Sequence, residues 1–279
     1  MSIWGVDVSN HQGGGIDWGA ANLAGIRFGW AKVCEDSSYV DPYWRGNRDR
    51  ALAAGIRFGG YHYAHPNTDP VRQAHWFCDL HGPMVAGMLR PALDLEEAFG
   101  VGRVGVHAWA RTWMDVVESV LGVAPVLYTY PYFWQSAAGC PTGCCARNPL
   151  WFASYTSRQP APPAPWSKIT AWQYAGTSAR IPGIPGLNDA NWWVSTEEDL
   201  HALTYGSTPV PIDKDEDDDM RLVRTVEDGA VWALVPGLDP RHLNPEEEES
   251  AIACGVKPPV DVNQREKDVM GALINSAGK

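Results

Sequence analysis

AGIRFG, residues 24–29, occurs a second time at residues 54–59. Each copy follows a stretch with helical spacing and begins a stretch whose residues favour strands. The two copies are 30 residues apart, which is about the length of one strand-and-helix unit. The repeat therefore predicts a chain built from alternating strands and helices.

The same alternation continues on both sides of the repeat. The predicted strands are residues 3–7, 26–32, 56–63, 90–95, 124–129, 150–154 and 169–174. The predicted helices are residues 17–24, 42–54, 69–81, 104–121 and 195–203. Alternation over this length predicts an α/β fold with a parallel sheet.

Polar and acidic side chains follow the predicted strands, and they favour a closed barrel over an open sheet. Asp7 ends the first predicted strand, and Asp94 and Glu96 come at the end of the fourth. Functional side chains of a (β/α) barrel lie at the carboxyl ends of its strands. An open sheet would instead need a glycine-rich phosphate turn that leads into a helix, and VSNHQGGG, residues 8–15, lacks that pattern. We therefore expect a TIM-like barrel over residues 1–205.

The composition changes after Tyr205. Residues 206–219 are rich in proline and acids and read as a linker. Residues 220–279 contain a hairpin signal at Asp228-Gly229, followed by two predicted helices at 244–254 and 262–274. The end of the chain is therefore predicted to be a small α+β module.

The charge distribution excludes some classes of partner. The net charge of −11 divides into −3 for residues 1–205 and −8 for residues 206–279. No basic patch suited to nucleic acid is present, and no apolar run is long enough to span a membrane. The first residues, MSIWGVDVSNHQ, have neither the basic nor the apolar region of a secretory signal. Three cysteines, Cys140, Cys144 and Cys145, either form a local disulfide or stay free.

The stretch RPALDLEE, residues 90–97, has the chemistry of a glycosidase. Side chains two residues apart in a strand share a face, about 6.6 Å apart along the backbone, so Asp94 and Glu96 point the same way. Repulsion between two close carboxylates raises one pKa and lowers the other. A glycosidase uses one protonated and one ionised carboxyl group in this manner. Glu97 points away and should be solvated.

The same two acids allow other interpretations. They could form ion pairs with an arginine such as Arg90, which would make them structural. Acids clustered at a barrel mouth could also bind Mg²⁺ or Ca²⁺ and serve a metal-dependent hydrolase. The pair by itself does not separate these possibilities.

The surrounding motifs resemble glycoside hydrolase family 25, the Chalaropsis-type lysozymes. The similarity extends from about residue 3 to residue 193. It rests on GVDVSNHQ, IDW, AKVCED, YVDPYW, GGYHYAHP, PALDLE, PVLYTYPYFW, LWFASY, AWQYAG and GLNDANWW, which occur in this order. In LNDAN, Asn188 stands where the family usually has an apolar residue.

The resemblance implies a muramidase that needs no cofactor or metal. Such an enzyme hydrolyses the β-1,4 bond between N-acetylmuramic acid and N-acetylglucosamine in peptidoglycan. By motif, Glu96 is the general acid. Asp94 is its partner, which either stabilises an oxazolinium formed by the substrate's N-acetyl group or acts more directly. Asp7 and Asp189 correspond to the other acids of the site.

Aromatic and amide side chains at the predicted strand ends are candidates for substrate binding, because sugar rings stack on aromatic faces. These candidates are Tyr61, Tyr63, Tyr128, Trp172, Gln173 and Tyr174.

A member of this family without a secretory signal fits a phage endolysin. Such an enzyme is made in the host cytoplasm and reaches the wall through a membrane hole made by a holin. Peptidoglycan is the expected partner, with neither nucleic acid nor membrane. Residues 220–279 are expected to bind the wall or to form a homo-oligomer. The remaining alternative is a barrel that binds peptidoglycan without cleaving it.

Overall fold

The computed structural model describes residues 3–138 and 147–206, together with four short strands between residues 221 and 262. The chain divides into two compact units, residues 1–210 and residues 211–279. The first unit contains every candidate site residue. The predicted boundaries at 205, 206–219 and 220–279 stay predictions, and Cys140, Cys144 and Cys145 lie outside the described residues.

The strands of the first unit match the predicted alternation. They are β1 (Ile3–Val8), β2 (Ile26–Glu35), β3 (Tyr39–Val40), β4 (Arg57–Tyr63), β5 (Ala92–Asp94), β6 (Val126–Thr129), β7 (Leu150–Ala153), β8 (Ala171–Ala179) and β9 (Asn188–Trp193). Hydrogen bonds join them in the order β1-β2-β4-β5-β6-β7-β8-β9, and β9 pairs with β1, so the sheet closes into an eight-stranded barrel. Strand β3 pairs only with β2 at its edge. The predicted TIM-like barrel is confirmed.

The last strand of the barrel differs from the expected parallel sheet. Strand β9 was not predicted, and it runs antiparallel to both β8 and β1. Its first residues include Asn188, Asp189 and Asn191, which are poor strand formers. Because β9 is antiparallel, its first residues lie at the same end of the barrel as the last residues of the other strands.

Helices surround the barrel at the predicted places. They are α1 (Trp18–Leu23), α2 (Trp44–Ala53), α3 (Pro70–His81), α4 (Arg103–Leu121), α5 (Pro131–Phe133) and α6 (Glu197–Ala202), with a 3₁₀ turn at Asn10–Gln12 and a π turn at Trp134–Ala138. Asp69 caps α3, since its carboxylate accepts from the backbone N–H groups of Val71 and Arg72 at 2.8 and 3.2 Å. Among the described residues, no helix is long and apolar enough to cross a membrane.

Two apolar clusters fill the unit, one inside the barrel and one between the barrel and the helices. The inner cluster includes Phe28, Trp30 and Trp151. The outer one includes Phe58 and the fully buried Trp113. Cys34 and Cys78 also pack in the outer cluster as free thiols.

The two copies of AGIRFG occupy different registers. Phe28 from the first copy points into the barrel, whereas Phe58 from the second points toward the helices. The pairing explains this, because Phe28 lies opposite Arg57 and Gly29 lies opposite Phe58. A shift of one residue exchanges the two faces of a strand.

The second unit is described only through its strands. These are β10 (Arg221–Thr225), β11 (Val231–Leu234), β12 (Arg241–Leu243) and β13 (Val260–Val262), which form a four-stranded sheet. Strands β10 and β11 pair in the antiparallel sense, as the hairpin signal predicted. The helices predicted at 244–254 and 262–274 lie outside the described residues apart from Val262, which ends β13.

Candidate active site

Four acids gather at one end of the barrel. Asp7 lies near the end of β1, Asp94 ends β5, and Glu96 follows two residues later. Asp189, near the start of β9, is the direct register partner of Asp7. The antiparallel direction of β9 therefore completes a ring of carboxyl groups that parallel strands alone would leave open.

Asp94 is a buried acid whose pKa is strongly raised. Its side chain is buried, and its Oδ1 has no hydrogen-bond partner among the residues that the structure describes. Burial raises the pKa of Asp94 well above its ordinary value, and the charge of Glu96 raises it further. The ionised form of Asp94 is therefore unfavourable in the empty site.

Glu96 is partly buried and is also shifted upward. Burial raises the pKa of Glu96, while Lys32 and a hydrogen bond from Tyr63 act in the opposite direction. The expectation that one pKa of this pair would fall is therefore wrong, because desolvation acts on both carboxyl groups. Together the two groups keep a proton at a higher pH than a solvated carboxylate would. Glu97 is exposed, as predicted.

Lys32 is the cation that faces both acids, and the sequence-based site did not include it. Its Nζ lies 2.9 Å from Glu35 Oε2 and 4.7 Å from the centre of the Tyr63 ring. Its charge lowers the pKa of both Asp94 and Glu96. The strand-end argument could have found it, since Lys32 ends the second predicted strand.

The structural interpretation of the acids, an ion pair with Arg90, is not supported. Arg90 lies before β5, at the opposite end of the barrel, where its backbone N–H donates to Leu203. None of the ion pairs in the described part of the chain joins Arg90 to Asp94 or Glu96.

Asp7 is held by two amide side chains. Its Oδ2 accepts from Gln173 Nε2 at 2.9 Å and from Asn191 Nδ2 at 2.7 Å. Burial, followed by the charge of Asp189, raises the pKa of Asp7 to about 8. Asp189 in turn accepts from the backbone N–H and the hydroxyl of Thr177.

Gln173 is buried and supports the acids through hydrogen bonds. Only 2% of its surface is exposed. Its Oε1 accepts from the hydroxyl groups of Tyr128 and Tyr155, each at 3.0 Å, while its Nε2 donates to Asp7. These contacts assign Gln173 a supporting position, and the prediction that it binds substrate stays a prediction.

The predicted aromatic residues divide by strand face. Tyr61, Tyr63 and Tyr128 lie on the inward faces of β4 and β6, near the acids, and Tyr63 is the most exposed of the three. Trp172 and Tyr174 flank the inward Gln173 on β8 and therefore point outward, toward the helices. Trp172 donates to the backbone carbonyl of Ser154 at 2.8 Å. Both side chains therefore pack away from the acids, and the prediction that they bind substrate stays a prediction.

Tyr155 is an exposed residue near the acids, and the sequence-based site did not include it because it lies just after the predicted strand 150–154. It follows β7, its side chain is 63% exposed, and its hydroxyl donates to Gln173. Burial and the charges of Asp189, Asp7 and Glu96 raise the pKa of Tyr155 to about 12. An exposed ring so close to the acids offers a flat surface to a sugar.

No three His, Cys, Asp or Glu side chains within the described ranges are arranged to hold a metal ion. The ring of acids is instead held by amide, hydroxyl and backbone donors.

Comparison with known proteins places this barrel in a family. Residues 6–184 match the model of the glycosyl hydrolases family 25. The chain belongs to this family. The sequence resemblance is therefore confirmed, and the protein is a glycoside hydrolase.

Two curated relatives and one solved structure illustrate how much this family 25 chain shares with known members. Lysozyme M1 of Streptomyces globisporus is 30% identical over 219 residues, which cover 72% of this chain and 71% of the relative. The N,O-diacetylmuramidase of Chalaropsis is 32% identical over 202 residues, 65% of this chain and 95% of the relative. A bacterial lysozyme from Streptomyces coelicolor superposes with a TM-score of 0.68 at 29% identity, covering 72% and 96% of the two chains.

An endolysin is also structurally similar to this family 25 chain. The CTP1L endolysin superposes with a TM-score of 0.60 at 25% identity, covering 72% of this chain and 68% of that one.

Proposed function

We propose that the protein is an N-acetylmuramidase that hydrolyses the β-1,4 bond between N-acetylmuramic acid and N-acetylglucosamine in bacterial peptidoglycan. The observation that carries this proposal is the pair Asp94 and Glu96 at the mouth of a family 25 barrel. Burial raises the pKa of both carboxyl groups, which favours retention of the proton that glycoside cleavage needs.

Glu96 is the general acid in this proposal. It is the more exposed of the two, so it can reach the glycosidic oxygen, and Tyr63 orients it through a hydrogen bond. Glu96 gives its proton to the leaving oxygen as the bond to C1 breaks. It then takes a proton from the water that attacks C1, which regenerates the acid.

Asp94 acts as a stabilising group rather than as the nucleophile. Only 8% of its surface is exposed, which is too little for attack on C1. The carbonyl oxygen of the substrate's own N-acetyl group attacks C1 instead, and Asp94 accepts the amide N–H of the resulting oxazolinium. The N–H of the N-acetyl group already donates to Asp94 in the bound substrate, so Asp94 is ionised and the proton of the pair is on Glu96 before the bond to C1 breaks.

The replacement Glu96→Gln tests this assignment. It removes the proton donor and keeps the size of the side chain, so we expect loss of hydrolysis by about 10²-fold or more with an unchanged circular dichroism spectrum. Mass spectrometry of digested peptidoglycan identifies the bond. Reducing muramic acid ends support the proposal, whereas reducing glucosamine ends would indicate a glucosaminidase.

Two other functions predict different results in the same assay. A barrel that only binds peptidoglycan would retain the polymer and release no reducing ends. A metal-dependent hydrolase would lose activity when EDTA is added, whereas the proposed mechanism predicts unchanged activity.

We further propose that the enzyme is a phage endolysin, made in the host cytoplasm and released to the wall through a holin. The likeness to the CTP1L endolysin supports this role. Expression of the chain in a bacterium whose isolated wall the enzyme digests should leave the cells intact until a holin is co-expressed. Lysis by the chain alone would contradict the release step.

A further inference from the structure

The orientation of one amide determines where a proton can sit in this site. Asn191 Oδ1 accepts from the indole N–H of Trp151 at 2.7 Å. An indole N–H can only donate a hydrogen bond, so the oxygen of Asn191 must face Trp151. Its NH₂ group is then left to donate to Asp7 Oδ2 at 2.7 Å.

Gln173 brings a second donor to the same oxygen. Its Oε1 accepts from the hydroxyls of Tyr128 and Tyr155, and its Nε2 donates to Asp7 Oδ2 at 2.9 Å. An oxygen that already accepts two N–H groups has no room for a proton of its own. Any proton on Asp7 must therefore lie on Oδ1.

Asp189 is the acid beside that proton. It is the register partner of Asp7 across β1 and β9. Thr177 occupies Asp189 Oδ1 with its backbone N–H and its hydroxyl, which leaves Oδ2 for another donor.

We propose that Asn191 and Gln173 are positioning residues that confine the proton of Asp7 to Oδ1, where Asp7 and Asp189 share it as one hydrogen-bonded acid pair. The pair deepens the proposed muramidase site, and its effect on the rate rests on that function. When the shared proton is lost, two facing carboxylates repel each other and disturb the ring of acids.

The surroundings favour retention of this proton. Burial and the charge of Asp189 raise the pKa of Asp7 to about 8. The other titratable or charged groups around the mouth are Asp94 and Glu96 at the end of β5, Lys32 on β2, Tyr61 on β4, Tyr128 on β6 and Tyr155 after β7. Lys32, the cation among these groups, is paired with Glu35 at 2.9 Å and is not among the groups that shift the pKa of Asp7.

The experiment is a carboxyl ¹³C NMR titration of the free enzyme, with the signal of Asp7 assigned by its loss in Asp7→Asn. Trp151→Phe removes the indole donor that fixes Asn191. Because an N–H donor stabilises the ionised carboxylate, we expect the titration midpoint of Asp7 to rise. Asp189→Asn removes the neighbouring charge, and the midpoint should fall by about one unit or more, a tenfold change in proton affinity.

Trp193→Phe is the matched control. Trp193 is buried in the same inner cluster, but its indole N–H donates to the backbone carbonyl of Thr196 at 3.1 Å. This variant should leave the midpoint of Asp7 unchanged. Equal shifts in Trp151→Phe and Trp193→Phe, or no fall in Asp189→Asn, would overturn the proposal. If Trp151→Phe does not fold, Asn191→Leu replaces it, with the same upward shift expected.

The rate measurement separates this proposal from the proposed function. If the enzyme is a muramidase, the basic limb of the pH dependence of kcat/KM should move in the same direction as the NMR midpoint in Trp151→Phe and Asn191→Leu. If the NMR midpoints shift as expected but the protein releases no reducing ends, the proposed muramidase function is refuted and the acid pair stands. If the protein has normal muramidase activity but the titration midpoint of Asp7 is near that of a solvated aspartate, the acid pair is refuted and the muramidase function stands.

Discussion

Tyr155 combines an exposed ring with a buried hydrogen bond. Its hydroxyl donates to Gln173, and its ring covers Gly176 on β8. A Cβ atom at position 176 would lie 2.6 Å from the Cζ and hydroxyl oxygen of Tyr155. Gly176 therefore makes the room in which this ring is held beside the acids.

Gly176→Ala should displace Tyr155 and weaken substrate binding. An aromatic contact contributes about 1 kcal/mol, so we expect KM to rise about three- to tenfold with a smaller change in kcat. Steady-state kinetics on soluble peptidoglycan fragments measures both. Gly46→Ala is the control, because a Cβ at 46 meets nothing within 4 Å. An unchanged KM in Gly176→Ala would remove Tyr155 from the binding surface.

The contribution of Asp7 to the free energy of unfolding should decrease as the pH rises. Its pKa is raised from 3.8 to about 8 in the folded protein, so between those values the folded state binds more protons than the unfolded state. Stability from this group is therefore lost as the pH increases through that window.

Asp7→Asn removes this dependence. The amide of asparagine can accept from Gln173 and Asn191 with its oxygen and donate toward Asp189, so it mimics the protonated acid. We expect the difference in free energy of unfolding, Asp7→Asn minus the unchanged chain, to be larger at pH 8 than at pH 5. Urea denaturation at both values measures the difference, and a constant difference would show that Asp7 does not titrate in this range.

At the scale of the elements, strand ends were predictable and side-chain partners were not. Asp7, Asp94 and Glu96 follow apolar runs, so a local pattern located them. The amides that hold Asp7 are 166 and 184 residues away in sequence, and no local pattern connects them. The outward direction of Trp172 and Tyr174 depends on how β8 is aligned with its neighbouring strands. The sequence does not give this alignment: even the two identical copies of AGIRFG pair one residue out of step.

The start of α3 gives a prediction at this scale. Asp69 accepts from two backbone N–H groups in the first turn, and loss of such a cap costs about 1 kcal/mol. Asp69→Ala should lower the free energy of unfolding by about that amount, as measured by urea denaturation. Asp49→Ala is the control, since Asp49 is an exposed acid within α2. Equal effects of the two changes would argue against the cap.

At the scale of the whole molecule, composition predicted two parts, and contact density divides the chain near the same place. A chain ending at residue 205 should stay folded and keep activity on isolated peptidoglycan fragments, because all four acids precede that point.

We propose that residues 220–279 bind the wall or join copies of the chain. Size-exclusion chromatography and wall sedimentation distinguish these roles. If the shortened chain matches the full chain in apparent mass per residue and in wall binding, neither role holds.

The position of β9 between β8 and β1 has a consequence for the synthesis of the enzyme. Strand β1 is translated first, yet its neighbour, which carries Asp189 and Asn191, is translated about 180 residues later. A ribosome that stops before residue 188 releases a polypeptide without the strand that closes the barrel and without Asn191, one of the two donors to Asp7. We therefore expect a chain that ends before β9 to lack hydrolytic activity, so that activity arises only when translation of the barrel is nearly finished.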